Sequence, residues 1–151
     1  MAISHIQPLV LFIASLFFLP ALRAVDFENC NKNGYDLGTV TGVEVSHKPE
    51  AYEISITLTG FTKEKIGKGL IDVYAKSEKI TDHLKRYDIC AMGVPCPVEA
   101  GSNFVIPLTE IPFYALEGDY KYVVAFLDEE SKEKLCIDFT YPASAIKMVS
   151  A

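Results

Sequence analysis

The run Tyr52-Glu53-Ile54-Ser55-Ile56-Thr57-Leu58-Thr59 alternates apolar and polar residues at period two and ends at Gly60. On a pleated strand successive side chains point to opposite faces, so Tyr52, Ile54, Ile56 and Leu58 share one face. Val40, Val43 and Val45 mark an earlier strand, closed by His47-Lys48-Pro49. Leu70 to Lys76 makes a third and His83 to Ile89 a weaker fourth. Phe104-Val105-Ile106 follows the Gly101-Ser102-Asn103 turn and ends near Pro107. Tyr120 to Leu127 is almost continuously apolar, and Leu135 to Tyr141 alternates again, with Asp128 to Lys134 as a polar hairpin loop between them. About seven short strands punctuated by Gly and Pro, with no helical period, predict an all-β fold: a two-sheet antiparallel, immunoglobulin-like β-sandwich. No internal repeat or linker divides it.

The N-terminus departs from this pattern. Leu9 to Leu19 is apolar except for Ser15 and stops at Pro20, before Ala21-Leu22-Arg23-Ala24. A secretory signal has an apolar core of about 7–15 residues, whereas a spanning helix needs about 20. Residues 1–24 therefore read as a signal peptide cleaved after Ala24, residues 25–142 as the domain, and residues 143–151 as a tail that frays. Removing residues 1–24 leaves 127 of the 151 residues and moves the formal charge from −6 to −7, because Arg23 goes with the signal. A secreted or lumenal protein, outside the cell or in a lysosome-like or vacuolar compartment, is expected.

The acidic balance argues against nucleic acid, whose phosphates call for a basic face. Lys63, Lys65 and Lys68 form the one local basic cluster and read as a solvated loop. Four cysteines, Cys30, Cys90, Cys96 and Cys136, follow the signal, and an even count in an exported chain reads as disulfides. Three pairings are open. Gly93, Pro95 and Pro97 favour a tight loop joining Cys90 and Cys96, which would leave Cys30 and Cys136 to close nearly the whole domain. The spacings do not suit zinc.

Little else carries chemistry. Nucleophilic catalysis needs a Ser, Cys or Thr beside a base, and the domain has only His47 and His83, both in polar surroundings that read as solvent-facing. No phosphate loop or metal-spaced cluster appears, and the scattered carboxylates read as a solvated surface. No enzymatic activity, cofactor or metal is expected.

Several segments together resemble the ML lipid-recognition domain. They are Asp26-Phe27-Glu28-Asn29-Cys30, Val40 to Ser46, Cys90 to Pro97 with proline after the second cysteine, and Tyr120 to Phe126 running into Leu135-Cys136-Ile137-Asp138-Phe139. The family includes the soluble Niemann-Pick type C sterol carrier and many secreted plant proteins. The resemblance implies a lipid cavity between the sheets and disulfides Cys30–Cys136 and Cys90–Cys96. It also implies a sterol, phospholipid or fatty acyl chain as ligand, with a membrane or membrane protein as acceptor. A monomer is expected. One departure is visible. The sterol carriers have a further disulfide between their first two strands, where this chain passes from Ser46-His47-Lys48-Pro49 straight towards Tyr52.

The residues expected to face a lipid are the inward side chains Val43, Val45, Ile54, Ile56, Leu58, Val73, Phe104, Ile106, Tyr122, Val124, Phe126, Ile137 and Phe139. Any packed sandwich needs such a face, so the pattern alone favours core filling, and the resemblance points to a cavity. A lipid pocket would measure about 300 Å³ or more. The competing readings are a filled sandwich used for extracellular protein recognition through loops such as Ala91 to Pro95 and Ile111 to Leu116, and, more remotely, a secreted hydrolase.

Overall fold

Alternation at period two becomes strand wherever one face can be buried. The computed structural model describes residues 23–48, 52–112 and 119–142. Seven principal strands are β3 (Gly38–Lys48), β4 (Glu53–Thr62), β5 (Leu70–Lys76), β6 (Thr81–Asp88), β7 (Asn103–Pro112), β8 (Asp119–Leu127) and β9 (Glu133–Pro142). Two two-residue strands, β1 (Arg23–Ala24) and β2 (Glu28–Asn29), precede them, and a 3₁₀ turn, Ile89–Ala91, follows β6. One sheet has the order β1-β3-β4-β7 and the other β2-β9-β8-β5-β6, all antiparallel. The segment before residue 23, the tail after residue 142 and residues 113–116 of the Ile111 to Leu116 loop lie outside the described residues.

Two expected strand ends are not ends. β4 runs through Gly60 to Thr62, because Gly60 faces inward opposite Phe104 and a Cβ there would collide with the Phe104 ring. The glycine serves close packing, not a turn. β7 runs through Pro107 to Pro112, because it is the free edge of its sheet, where a missing N–H costs no ladder bond.

β7 also carries a bulge. Ile54 pairs with Ile111 and Ile56 with Leu108, so Thr109 and Glu110 together stand opposite Ser55. Glu110 takes a positive φ of 57° there. The extra residue lets both Leu108 and Ile111 point inward, where both are buried.

The structure contains disulfides Cys30–Cys136 and Cys90–Cys96, spanning 106 and 6 residues. The first ties β2 to β9 within one sheet. The second closes the loop between the 3₁₀ turn and β7, beside the Ile66–Val98 bridge.

Candidate functional site

All thirteen residues expected to face between the sheets are buried there. They divide into two regions. Leu58, Phe104, Ile106, Val124, Phe126 and Ile137 line an apolar void at one end of the sandwich. Val43, Val45, Ile54, Ile56, Val73, Tyr122 and Phe139 pack the other end, where the Tyr122 and Phe139 rings stack at 5.6 Å. Burial pushes the Tyr122 hydroxyl up to about 12.

The void is small. Its volume is about 30 Å³, room for one water-sized body and far below the expected lipid pocket. In this structure the sheets are closed on each other. Its wall also includes Leu37, Val40, Ile66, Ile71, Ile89 and Leu135, which were not among the residues expected to face a lipid. The one side-chain hydroxyl in the wall, that of Thr62, is turned onto main-chain carbonyls, 3.1 Å from Leu37 and also in contact with Glu64. The lining thus offers apolar contact and no free polar group, which suits a hydrocarbon.

Both histidines of the domain, His47 and His83, have partners. His83 Nε2 lies 2.9 Å from the Asp72 carboxylate, while its side chain remains substantially exposed. His47 corrects the solvent-facing expectation. Its Nδ1 lies 2.8 Å from the Tyr141 hydroxyl, its Nε2 is buried without a partner, and burial, reinforced by Arg23, lowers its pKa. The Tyr141 contact joins β3 to β9 across the sandwich edge.

At the opposite edge β6 faces β7. Outward from the β5–β6 pair, the Asp72 carboxylate is fully buried and accepts from Arg86 Nε at 2.7 Å and Nη2 at 2.9 Å. The Tyr74 hydroxyl stands 3.4 Å away. Hydrogen bonding to Arg86 is the main reason the carboxyl is held at about 2, against the opposing effect of burial. Inward, Lys85 and Tyr87 reach the β7 bulge. The Tyr87 hydroxyl donates to the Thr109 carbonyl at 2.6 Å, and Lys85 Nζ donates to the carbonyls of Thr109 and Glu110 at 3.3 and 3.1 Å.

This arrangement, two antiparallel sheets closing over an apolar interior, coincides with a family-level match: the model described as ML domain covers residues 24–143. The chain belongs to the ML-domain family. This ML domain is 41% identical over 163 aligned positions to MD-2-related lipid-recognition protein 3 of Arabidopsis thaliana, covering 99% of each chain. It is 23% identical to NPC intracellular cholesterol transporter 2 of Sus scrofa, covering 87% of this chain and 95% of that one. Among solved structures, a Niemann-Pick type C2 protein from Japanese carpenter ant shares the fold. Its TM-score is 0.61 at 16% identity, over 78% of this chain and 98% of that one. The relatives are named for lipid recognition and transport.

Proposed function

We propose that this ML domain is an exported lipid-binding protein that takes one sterol, phospholipid or acyl chain between its sheets and returns it unchanged. The observation that carries the reading is the interior itself. Its wall is apolar, its one hydroxyl is internally satisfied, and its two aromatic members, Phe104 and Phe126, lie over the side-chain-free positions Gly60 and Gly69. Because the void is about 30 Å³, uptake requires the sheets to separate at an edge. Export is supported by the apolar run Leu9 to Leu19 and by the two disulfides. Cleavage after Ala24 would remove β1 and make Val25 the first residue; its amide N–H, which donates to the Val43 carbonyl at 3.0 Å in the uncleaved chain, would become an α-ammonium.

The closed interior favours a second reading, a filled sandwich that recognises another protein. One experiment separates the two. Protein purified without detergent is extracted and the extract analysed by mass spectrometry, then delipidated protein is titrated with labelled sterol and phospholipid. Saturable binding near one per chain, with the labelled lipid recovered intact, is expected. Absence of saturable binding to every lipid class would refute the lipid reading, and conversion of the lipid that tracked the protein would refute the non-catalytic one.

A further inference from the structure

Lys85 and Tyr87 occupy positions where the inner face of a sandwich strand normally carries apolar side chains. In the β5–β6 register Tyr87 lies opposite Ile71 and Lys85 opposite Val73, and both partners point into the core. Directly paired residues share a face, so the phenol and the ammonium are aimed into the gap between the sheets. Ile71 is itself part of the void wall, as is Ile106 on the facing strand β7.

What the two donors hold is equally telling. β6 and β7 are edge strands of different sheets, with no main-chain ladder between them. The bulge at Thr109 and Glu110 presents two neutral carbonyls, and these receive the Lys85 and Tyr87 donors. Lys85 Nζ also stands 5.2 Å from the Tyr87 ring centroid. The one side-chain anion facing Lys85 among the described residues is Glu110, 3.9 Å away and largely exposed, an ion pair of little strength. A cation and a phenol at the rim of an apolar interior are thus spent mainly on carbonyls, which are weaker acceptors than an anion.

We propose that Lys85 and Tyr87 form a headgroup site for an anionic amphiphile, one bearing a carboxylate or phosphate on an apolar chain. The inference rests on the lipid-binding reading above and narrows its ligand class. When β6 and β7 part, the Thr109 and Glu110 carbonyls turn to water and both donors are freed at the opening. A chain lying past Ile71 and Ile106 would place its anionic head between them, in charge-assisted hydrogen bonds stronger than those they replace. A neutral hydroxyl head gains much less.

The test compares two probes with the same tail, oleate and oleyl alcohol, titrated into delipidated protein at a pH where the acid is ionised. Wild type should bind oleate about tenfold more tightly than the alcohol, a ratio in the range of one charge-assisted contact. The ratio should shrink with added salt. It should collapse towards one in Lys85→Gln, fall partway in Tyr87→Phe, and survive in Lys85→Arg. Equal affinity of wild type for both probes, or a preference unaffected by both salt and Lys85→Gln, overturns the headgroup assignment and leaves lipid binding intact. Failure of wild type to bind either probe or any other lipid overturns the lipid-binding reading and this inference with it. The salt dependence is read on wild type, so the test does not depend on a variant folding.

Discussion

Val124 offers the sharpest test of the space between the sheets. It is 4% exposed, lies mid-strand on β8 between Val73 of β5 and Ile137 of β9, and lines the void. Val124→Ile adds one methylene to a void of about 30 Å³, close to what that volume takes. At ~24 cal/mol per Å³ of cavity, filling it stabilises lipid-free protein by about 0.7 kcal/mol, near the ~0.8 kcal/mol of a buried methylene. For a domain of this size that is a rise of roughly 2–4 °C in Tm. Val124→Phe adds far more than the void accommodates and forces neighbours aside, costing about 1–3 kcal/mol and several degrees. Both variants occupy space a lipid would use, so both should weaken lipid affinity, the Phe variant more. The assay pairs melting of delipidated protein with titration of a fluorescent sterol and a labelled phospholipid. A Phe variant that melts early yet binds lipid like wild type would show that Val124 packs a core remote from the ligand. An Ile variant that melts below wild type would show that there is no void beside it to fill.

Two further predictions concern stability. Replacing Cys30 and Cys136 with Ser opens a link across 106 residues and should lower the unfolding free energy by about 4–5 kcal/mol in urea titrations; a loss under about 1 kcal/mol would contradict that assignment. Asp72 is held at about 2, below its ordinary 3.8, so its contribution is fully present above about pH 4 and is lost as pH falls towards 2. The acid limb of a Tm-against-pH curve should therefore carry on the order of 2 kcal/mol from this group. Asp72→Asn should flatten that limb and lower Tm at neutral pH, and an unchanged limb would refute the role of the Arg86 pair.

Much of the fold was legible because burial imposes a period. Leu70 to Lys76 is β5 residue for residue, and the alternation in Tyr52 to Thr59 and Leu135 to Tyr141 located the centres of β4 and β9. The inward set on the alternating strands was legible for the same reason. In Tyr120 to Leu127, apolar on both faces, Tyr122, Val124 and Phe126 were instead singled out by their bulk and by the family resemblance. What escaped has identifiable causes. Leu37, Ile66 and Ile89 lie in the turns flanking strands, where no period marks which way a side chain points. Leu108 and Ile111 are three apart because of the bulge, which breaks the period of two, and the prolines on either side read as punctuation. The partner of His47 is Tyr141, 94 residues away, a contact that strand order creates and local sequence does not show. The volume of the void depends on how far apart the sheets sit, and no residue pattern encodes that separation.

The closed interior follows from energetics. An empty pocket of about 300 Å³ would cost roughly 7 kcal/mol by the cavity coefficient, comparable to the whole ~5–15 kcal/mol stability of a typical domain. Closing to about 30 Å³ removes most of that penalty, so a lipid-free chain gains by drawing its sheets together. The covalent frame does not oppose their separation. Cys30–Cys136 staples β2 to β9 inside one sheet, and Cys90–Cys96 closes a six-residue loop, so neither disulfide crosses from sheet to sheet. The side-chain ties described across the edges are hydrogen bonds, His47 with Tyr141 on one side and Lys85 and Tyr87 with the β7 bulge on the other, where the weak Lys85–Glu110 ion pair accompanies them. The second edge is the more readily replaced. Its acceptors are main-chain carbonyls on a free strand that water can satisfy, whereas opening the first would expose the buried Tyr141 ring. On the proposed headgroup site, a lipid that wedged β6 from β7 would substitute its chain for the contacts between the inner faces and its head for the two carbonyls. The sandwich would then open on one side while the His47–Tyr141 contact kept the other fastened.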